Sequence, residues 1–193
     1  MTTPKILVFA GSIRTGSLNG QLAAAAAKEV ALLGADMTLI SLADYPLPLY
    51  DADEEDNSGP PDNAVKLKKL MCAQQGVFIA SPEYNASVTP LLKNALDWIS
   101  RVREGREPAL AAFHGRVFAL GAASPRPHGG MRSLLALRQI LELGCGALVI
   151  PSQVELREAA EAFDADGKLN DAAAASHLRR VAADLVETAR MFA

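Results

Sequence analysis

Five short apolar runs, each separated from the next by a segment of helical composition, constrain this chain more than any other feature. They are Ile6-Leu7-Val8-Phe9-Ala10 and residues 37–42, 76–80, 116–121 and 147–150. Unbroken apolar strands are buried on both faces, and a strand that runs parallel to its neighbour needs a helix to carry the chain back. Helical composition covers residues 21–33, 62–73, 90–103, 131–143 and 170–191, with Pro90 suited to a first turn and Asn170 to a cap. The pattern predicts an α/β fold with a doubly wound parallel sheet and helices on both faces.

For five strands the expected order is 2-1-3-4-5, the flavodoxin-like arrangement, in which ligands sit beyond the carboxyl ends of the strands where the order reverses. At 193 residues the chain fits one domain over residues 1–193. Residues 45–61 hold prolines and the acidic run Asp51-Ala52-Asp53-Glu54-Glu55-Asp56. They read as a solvated loop too broken for a regular element. Residues 154–169 read as irregular, with a turn at Asp166-Gly167.

Composition removes some function classes. A net charge of −3 argues against a nucleic-acid surface, which shows as a basic excess. No run approaches a membrane span, and no basic, cleavable leader precedes the first strand, so a cytoplasmic protein is expected. Cys72 and Cys145 lie in apolar surroundings without metal-ligand spacing and read as buried thiols. His114 and His177 read as surface residues.

Three unusual loops leave the ends of strands one, three and four. The first, residues 11–19, passes from strand to helix. There unpaired N–H groups and the helix dipole favour an anion, and glycine lets the backbone approach it closely. Ser12, Thr15 and Ser17 add hydroxyls, and Arg14 adds a charge that forks onto phosphate oxygens. The spacing matches neither G-x-G-x-x-G nor the P-loop, because Ser17 follows Gly16 and no lysine follows. Taken alone, the segment reads equally well as a capped Gly/Ser connection. The second loop contains Ser81-Pro82-Glu83-Tyr84-Asn85 and the third runs from Ala122 to Gly130. Together the three would suit a flat heterocycle carrying a phosphate.

These residues carry a resemblance. Gly11-Ser12-Ile13-Arg14-x-x-Ser17-x-Asn19, Ser81-Pro82-Glu83-Tyr84-Asn85 and Leu92-Lys93-Asn94-Ala95-Leu96-Asp97-Trp98 resemble the NADPH-dependent FMN reductase family, with its quinone, azo and chromate reductase relatives. The resemblance implies that Ser12, Arg14, Ser17, Leu18 and Asn19 bind the FMN phosphate. It implies that Pro82, Glu83, Tyr84 and Asn85 line the isoalloxazine, and that Ser124, Gly129 and Gly130 form a third flavin-facing loop. NADPH or NADH would be co-substrate, and a small-molecule electron acceptor would complete a ping-pong cycle. The flavin carries the chemistry, so no catalytic side chain and no metal are expected. The chain departs from the family pattern at Ala86 and Arg126, where the family often has glycine. Arg126 and His128 are the basic residues of the third loop and candidate contacts for the nicotinamide cofactor. Two other readings stay open: a flavodoxin-like electron carrier without NAD(P)H turnover, and a flavin-free binding protein.

Assembly is read from the fourth helix. Leu91, Leu92, Ala95, Leu96, Trp98, Ile99 and Val102 span an arc of about 160°, wider than the roughly 100° stripe one sheet face requires. The surplus, with Trp98 at its edge, predicts either an intrachain cover or an interface. Because the resembling family pairs through this helix, a homodimer or homotetramer through residues 91–103 is the expectation.

Overall fold

The computed structural model describes residues 2–193. Strands β1 (Lys5–Ala10), β2 (Asp36–Ile40), β3 (Gly76–Ala80), β4 (Val117–Ala123) and β5 (Leu148–Leu156) form one sheet. All four pairings are parallel and the order is 2-1-3-4-5, as the alternation of apolar runs and helices predicts. The helices are α1 (Leu18–Leu32), α2 (Ala52–Ser58), α3 (Asp62–Cys72), α4 (Pro90–Arg101), α5 (Met131–Arg138) and α6 (Ala172–Ala189).

The period-2 alternation of strand side chains divides the core into two layers. Ile6 and Val8 of β1 and Phe78 of β3 face α1 and α6, where they meet Leu22, Ala26, Val181 and Leu185. Leu7 and Phe9 with Val77 and Ile79 face α3, α4 and α5, against Leu67, Met71, Leu92, Leu96 and Leu134. The alanines of α1 are short enough to bring that helix close to the sheet, and Ala23, Ala25, Ala26 and Ala27 are all buried.

Several sequence expectations are corrected. The acidic run holds α2, capped by the side chain of Asp51 on the N–H of Asp53 and ended by Gly59 at φ 74°. Acidic residues in its first turn suit the helix dipole, but the helix buries no residue, so it leaves no apolar periodicity to read. Strand β5 runs on through Pro151 to Leu156, where residues 154–169 had read as irregular from their start. It is an edge strand, where a missing N–H is tolerated, and its register with β4 shifts between Phe118 and Leu120. Strand β2 stops at Ile40, and Ser41 caps a short 3-10 turn instead. Helix α6 is capped by Asp171, while Asn170 donates to the carbonyl of Glu161. Cys72 is exposed, and only Cys145 is buried, which raises its thiol pKa.

The surplus apolar arc on α4 is covered by the chain itself. Leu92, Ala95, Leu96, Trp98, Ile99 and Val102 are buried, with Trp98 at 0% exposure. Residues 45–61 lie over it as a strap. The Trp98 indole donates to the carbonyl of Pro48 at 2.8 Å, and its ring meets Tyr50 edge-on at 5.1 Å. Asn94 accepts from the N–H of Tyr50 and donates to the carbonyl of Pro48, both at 2.8 Å. Glu55 accepts from Arg101 and from the Tyr50 hydroxyl. Burial raises its carboxyl pKa, but these two bonds outweigh burial and hold it below the usual value. The exposed apolar strip that pointed to an interface is therefore absent from this face.

Candidate flavin site

The three loops converge because their strands end in step across the sheet. The Gly11 N–H donates to the carbonyl of Ala80, and the Ser81 N–H donates to the carbonyl of Gly121, each at 2.8 Å. Thr89 joins the first two loops. Its hydroxyl donates to the Gly11 carbonyl at 2.7 Å and accepts the Leu92 N–H at 3.2 Å, which caps α4. The Thr-Pro pair at 89–90 is a cap-and-first-turn signature, and it is the legible signal for this joint. Leu92 packs so close to Gly11 that a Cβ there would stand 3.0 Å from it.

Between the loops lies a cavity of about 130 Å³, lined among others by Ser12, Arg14, Ser17, Leu18, Asn19, Pro82, Glu83, Tyr84 and Ser124. Three of these, Ser12, Arg14 and Ser17, also line an open groove that runs past Gly16 and Gln21 to Ser41. Asn85, Gly129 and Gly130, candidates from the sequence, do not line the cavity. Asn85 and Ala86, at φ 50° and 65°, make the two-residue turn between Tyr84 and Ser87, which exchange hydrogen bonds of 3.0 Å. Gly129 and Gly130 serve packing, since a Cβ would come within 2.8 Å of Arg157 or 2.6 Å of Ala122.

At the first loop, Ser17 caps α1 by accepting the N–H of Gly20 at 3.3 Å. Among the described residues nothing accepts from the N–H groups of Leu18 and Asn19, which are the ordinary orphans of a helix start. Arg14 is exposed and bends back onto the carbonyls of Thr15 and Gly16, at 3.4 and 3.3 Å. Gly16, at φ 67°, has nothing within 4 Å of where a Cβ would be. Free amides, hydroxyls and a guanidinium around open space are the donor set a phosphate monoester needs.

The other end of the cavity is braced. The Asn19 amide spans to β4, donating to the Ala123 carbonyl at 2.8 Å and accepting its N–H at 3.0 Å. Its side chain is thereby spent on the fold, and its backbone N–H is left without an acceptor among the described residues. Ser81 and Ser133 share a buried contact of 2.6 Å, and Ser133 donates to the Pro82 carbonyl at 2.8 Å. The Glu83 carboxylate accepts the Arg132 N–H at 3.1 Å and the Arg132 Nε at 2.7 Å, and also contacts its Nη2. Arg132 and Ser133 sit in an ordinary-looking helix and gave no sequence signal. Ser124 accepts the Arg126 N–H at 3.1 Å, and the Arg126 carbonyl accepts from Gly129 and Glu158. The side chains of Arg126 and His128 are exposed.

A larger cavity of about 430 Å³ opens between the end of β5 and the start of α6, lined by Glu155, Glu158, Glu161 and Asp171 among others. Its carboxylates outnumber Arg157, which disfavours a phosphate there. Among the described residues no group of three His, Cys, Asp or Glu could hold a metal, and no helix is long and apolar enough to cross a membrane.

The family model for NADPH-dependent FMN reductase matches residues 4–161. A quinone reductase of Escherichia coli is 36% identical over 137 residues, covering 71% of this chain and 69% of the relative. An NAD(P)H-dependent FMN reductase of Pseudomonas aeruginosa is 34% identical over 168 residues, covering 86% and 85%. Among solved structures, the flavoenzyme NAD(P)H:(acceptor) oxidoreductase FerB of Paracoccus denitrificans superposes with a TM-score of 0.81 at 25% identity, over 98% of each chain. The fold, the loops and these relatives together make the chain a member of the NADPH-dependent FMN reductase family, enzymes that use FMN and NAD(P)H.

Proposed function

We propose that this protein binds FMN across the three loops and works as an NAD(P)H:acceptor oxidoreductase with ping-pong kinetics, reducing a quinone, a free flavin or a similar small acceptor. The observation that carries this reading is the cavity that starts at the free amides of α1 and ends at the braced backbone of Pro82 and Glu83. When bound, FMN supplies the chemistry, taking a hydride equivalent from NAD(P)H and giving two electrons to the acceptor. The chain binds and orients. Ser12, Arg14, Ser17 and the N–H groups of Leu18 and Asn19 hold the phosphate, and the second loop presents its backbone to the ring. Tyr84, 54% exposed, borders the open side where substrates enter.

If NAD(P)H and acceptor both need the exposed face of the bound ring, they would take turns at it. Initial rates at varied NADPH and quinone are expected to give parallel double-reciprocal lines, and intersecting lines overturn the ping-pong reading. Titration of the protein with FMN, followed by NADPH oxidation, tests the whole proposal. FMN binding without NADPH turnover would instead indicate an electron carrier, and no binding a flavin-free protein. The names of the quinone-reducing relatives support a quinone as acceptor.

Arg126, anchored through its backbone beside the cavity, is a candidate contact for the extra phosphate of NADPH, together with His128. Arg126→Ala is then expected to lower the kcat/KM ratio of NADPH to NADH about fivefold or more, as a lost charge-assisted hydrogen bond does. An unchanged ratio removes Arg126 from that role. A homodimer or homotetramer through α4 and a cytoplasmic location complete the reading. The pairing now rests on the family resemblance alone, because the strap covers the apolar face of that helix.

A further inference from the structure

The cavity contains one sheltered negative charge. Glu83 lines it, and the side chain of Glu83 is only 10% exposed, so water screens its carboxylate poorly. Reduced FMN carries more negative charge at neutral pH than oxidised FMN. A bare carboxylate beside the ring would therefore oppose reduction. Arg132 answers this charge from the start of α5, holding both carboxylate oxygens through its backbone N–H and guanidinium.

We propose that Arg132 is a positioning and potential-setting residue. It neutralises Glu83 so that the cavity accepts the charge of reduced FMN, and it fixes the second loop at the same time. This rests on the FMN site proposed above. The same helix grips that loop a second time, through Ser133 on the Pro82 carbonyl. The other charged lining residue, Arg14, bends onto its own loop and does not pair with Glu83. Arg132 is half exposed, so removing its partner releases a screened cation, whereas removing Arg132 releases a sheltered anion. The two changes must act in opposite directions and by unequal amounts.

The test is the ratio of affinities for reduced and oxidised FMN, read from the midpoint potential of bound against free flavin. A tenfold change in the ratio moves a two-electron potential by about 30 mV. Arg132→Gln is expected to lower the ratio about three- to tenfold, the scale of one unit charge at several ångströms in a partly screened site. Glu83→Gln is expected to raise it about twofold, the double variant to return near wild type, and Arg132→Lys to keep most of the wild-type value. Shifts of the same sign in both single variants, or no shift in either, overturn the proposal, because loosening of the loop alone has no reason to change sign with charge. If Arg132→Gln does not fold, an unchanged ratio in Glu83→Gln overturns it equally. Failure of the wild-type protein to bind FMN at all is the separate outcome that would remove the flavin site itself.

Discussion

Among the described residues, in the first loop Arg14 reaches only the carbonyls of Thr15 and Gly16, while the amides of Leu18 and Asn19 stay free. In the second and third loops, by contrast, polar groups are tied to other elements: Pro82 to Ser133, Glu83 to Arg132, Ala123 to Asn19. One end of the cavity is built of donors awaiting an anion, and the other is finished without a ligand. On the FMN site proposed above, the difference follows from what each end would recognise. A phosphate brings its own charge and can draw a mobile guanidinium onto itself. A flat ring is met mainly by backbone, and backbone presents a fixed edge only when the surrounding structure holds it.

Asn19 is where the two ends meet, and it is the largest lever on the comparison. Asn19→Ala deletes two buried bonds and leaves the N–H and carbonyl of Ala123 without partners. The expected loss is about 2–4 kcal/mol of folding stability, read by urea denaturation, given roughly 1–3 kcal/mol for each buried group left unsatisfied. Full stability with lost FMN affinity would reverse the assignment and make the side chain a phosphate ligand.

Arg14→Ala probes the open end. Among the described residues its guanidinium makes no bond outside its own loop, so stability should stay within about 0.5 kcal/mol of wild type, as for surface substitutions. FMN binding should weaken by about 1.5–3 kcal/mol, the usual range for a hydrogen bond to a charged group. An unchanged affinity on fluorescence titration takes Arg14 out of the site.

How legible each end was in the sequence follows the same division. The first loop could be read because its donors are consecutive residues at a strand-helix junction, and the sheet order because each strand is a short apolar run. The braces could not. Arg132 and Glu83 are 49 residues apart, Ser133 and Pro82 are 51, and Asn19 and Ala123 are 104. Nothing local marks a serine or an arginine in a helix as the partner of a distant loop. Pro151 hid the length of β5, and α2, which buries nothing, offered no periodicity. The spacing puts Trp98 at the edge of the α4 arc, but composition gives no reason to expect that a proline-rich strap covers it.

The smallest effect tests whether the finished end is also a relaxed one. Ala86 has φ 65°, where its Cβ crowds the backbone, and it is exposed, so that Cβ is not buried in exchange. Asn85 beside it, at φ 50°, is a residue type that tolerates this region, and the mutual bonds of Tyr84 and Ser87 close the turn around both. Ala86→Gly removes about 1–2 kcal/mol of crowding and returns part of it as extra freedom of the unfolded chain. The net expectation is a gain of about 0.5–1 kcal/mol in stability. FMN affinity should stay within about twofold, because the turn is also held by Tyr84 and Ser87 and lies outside the cavity. A more stable variant that bound FMN much less well would mean that alanine keeps the turn set for the ring, and that the strain belongs to the site.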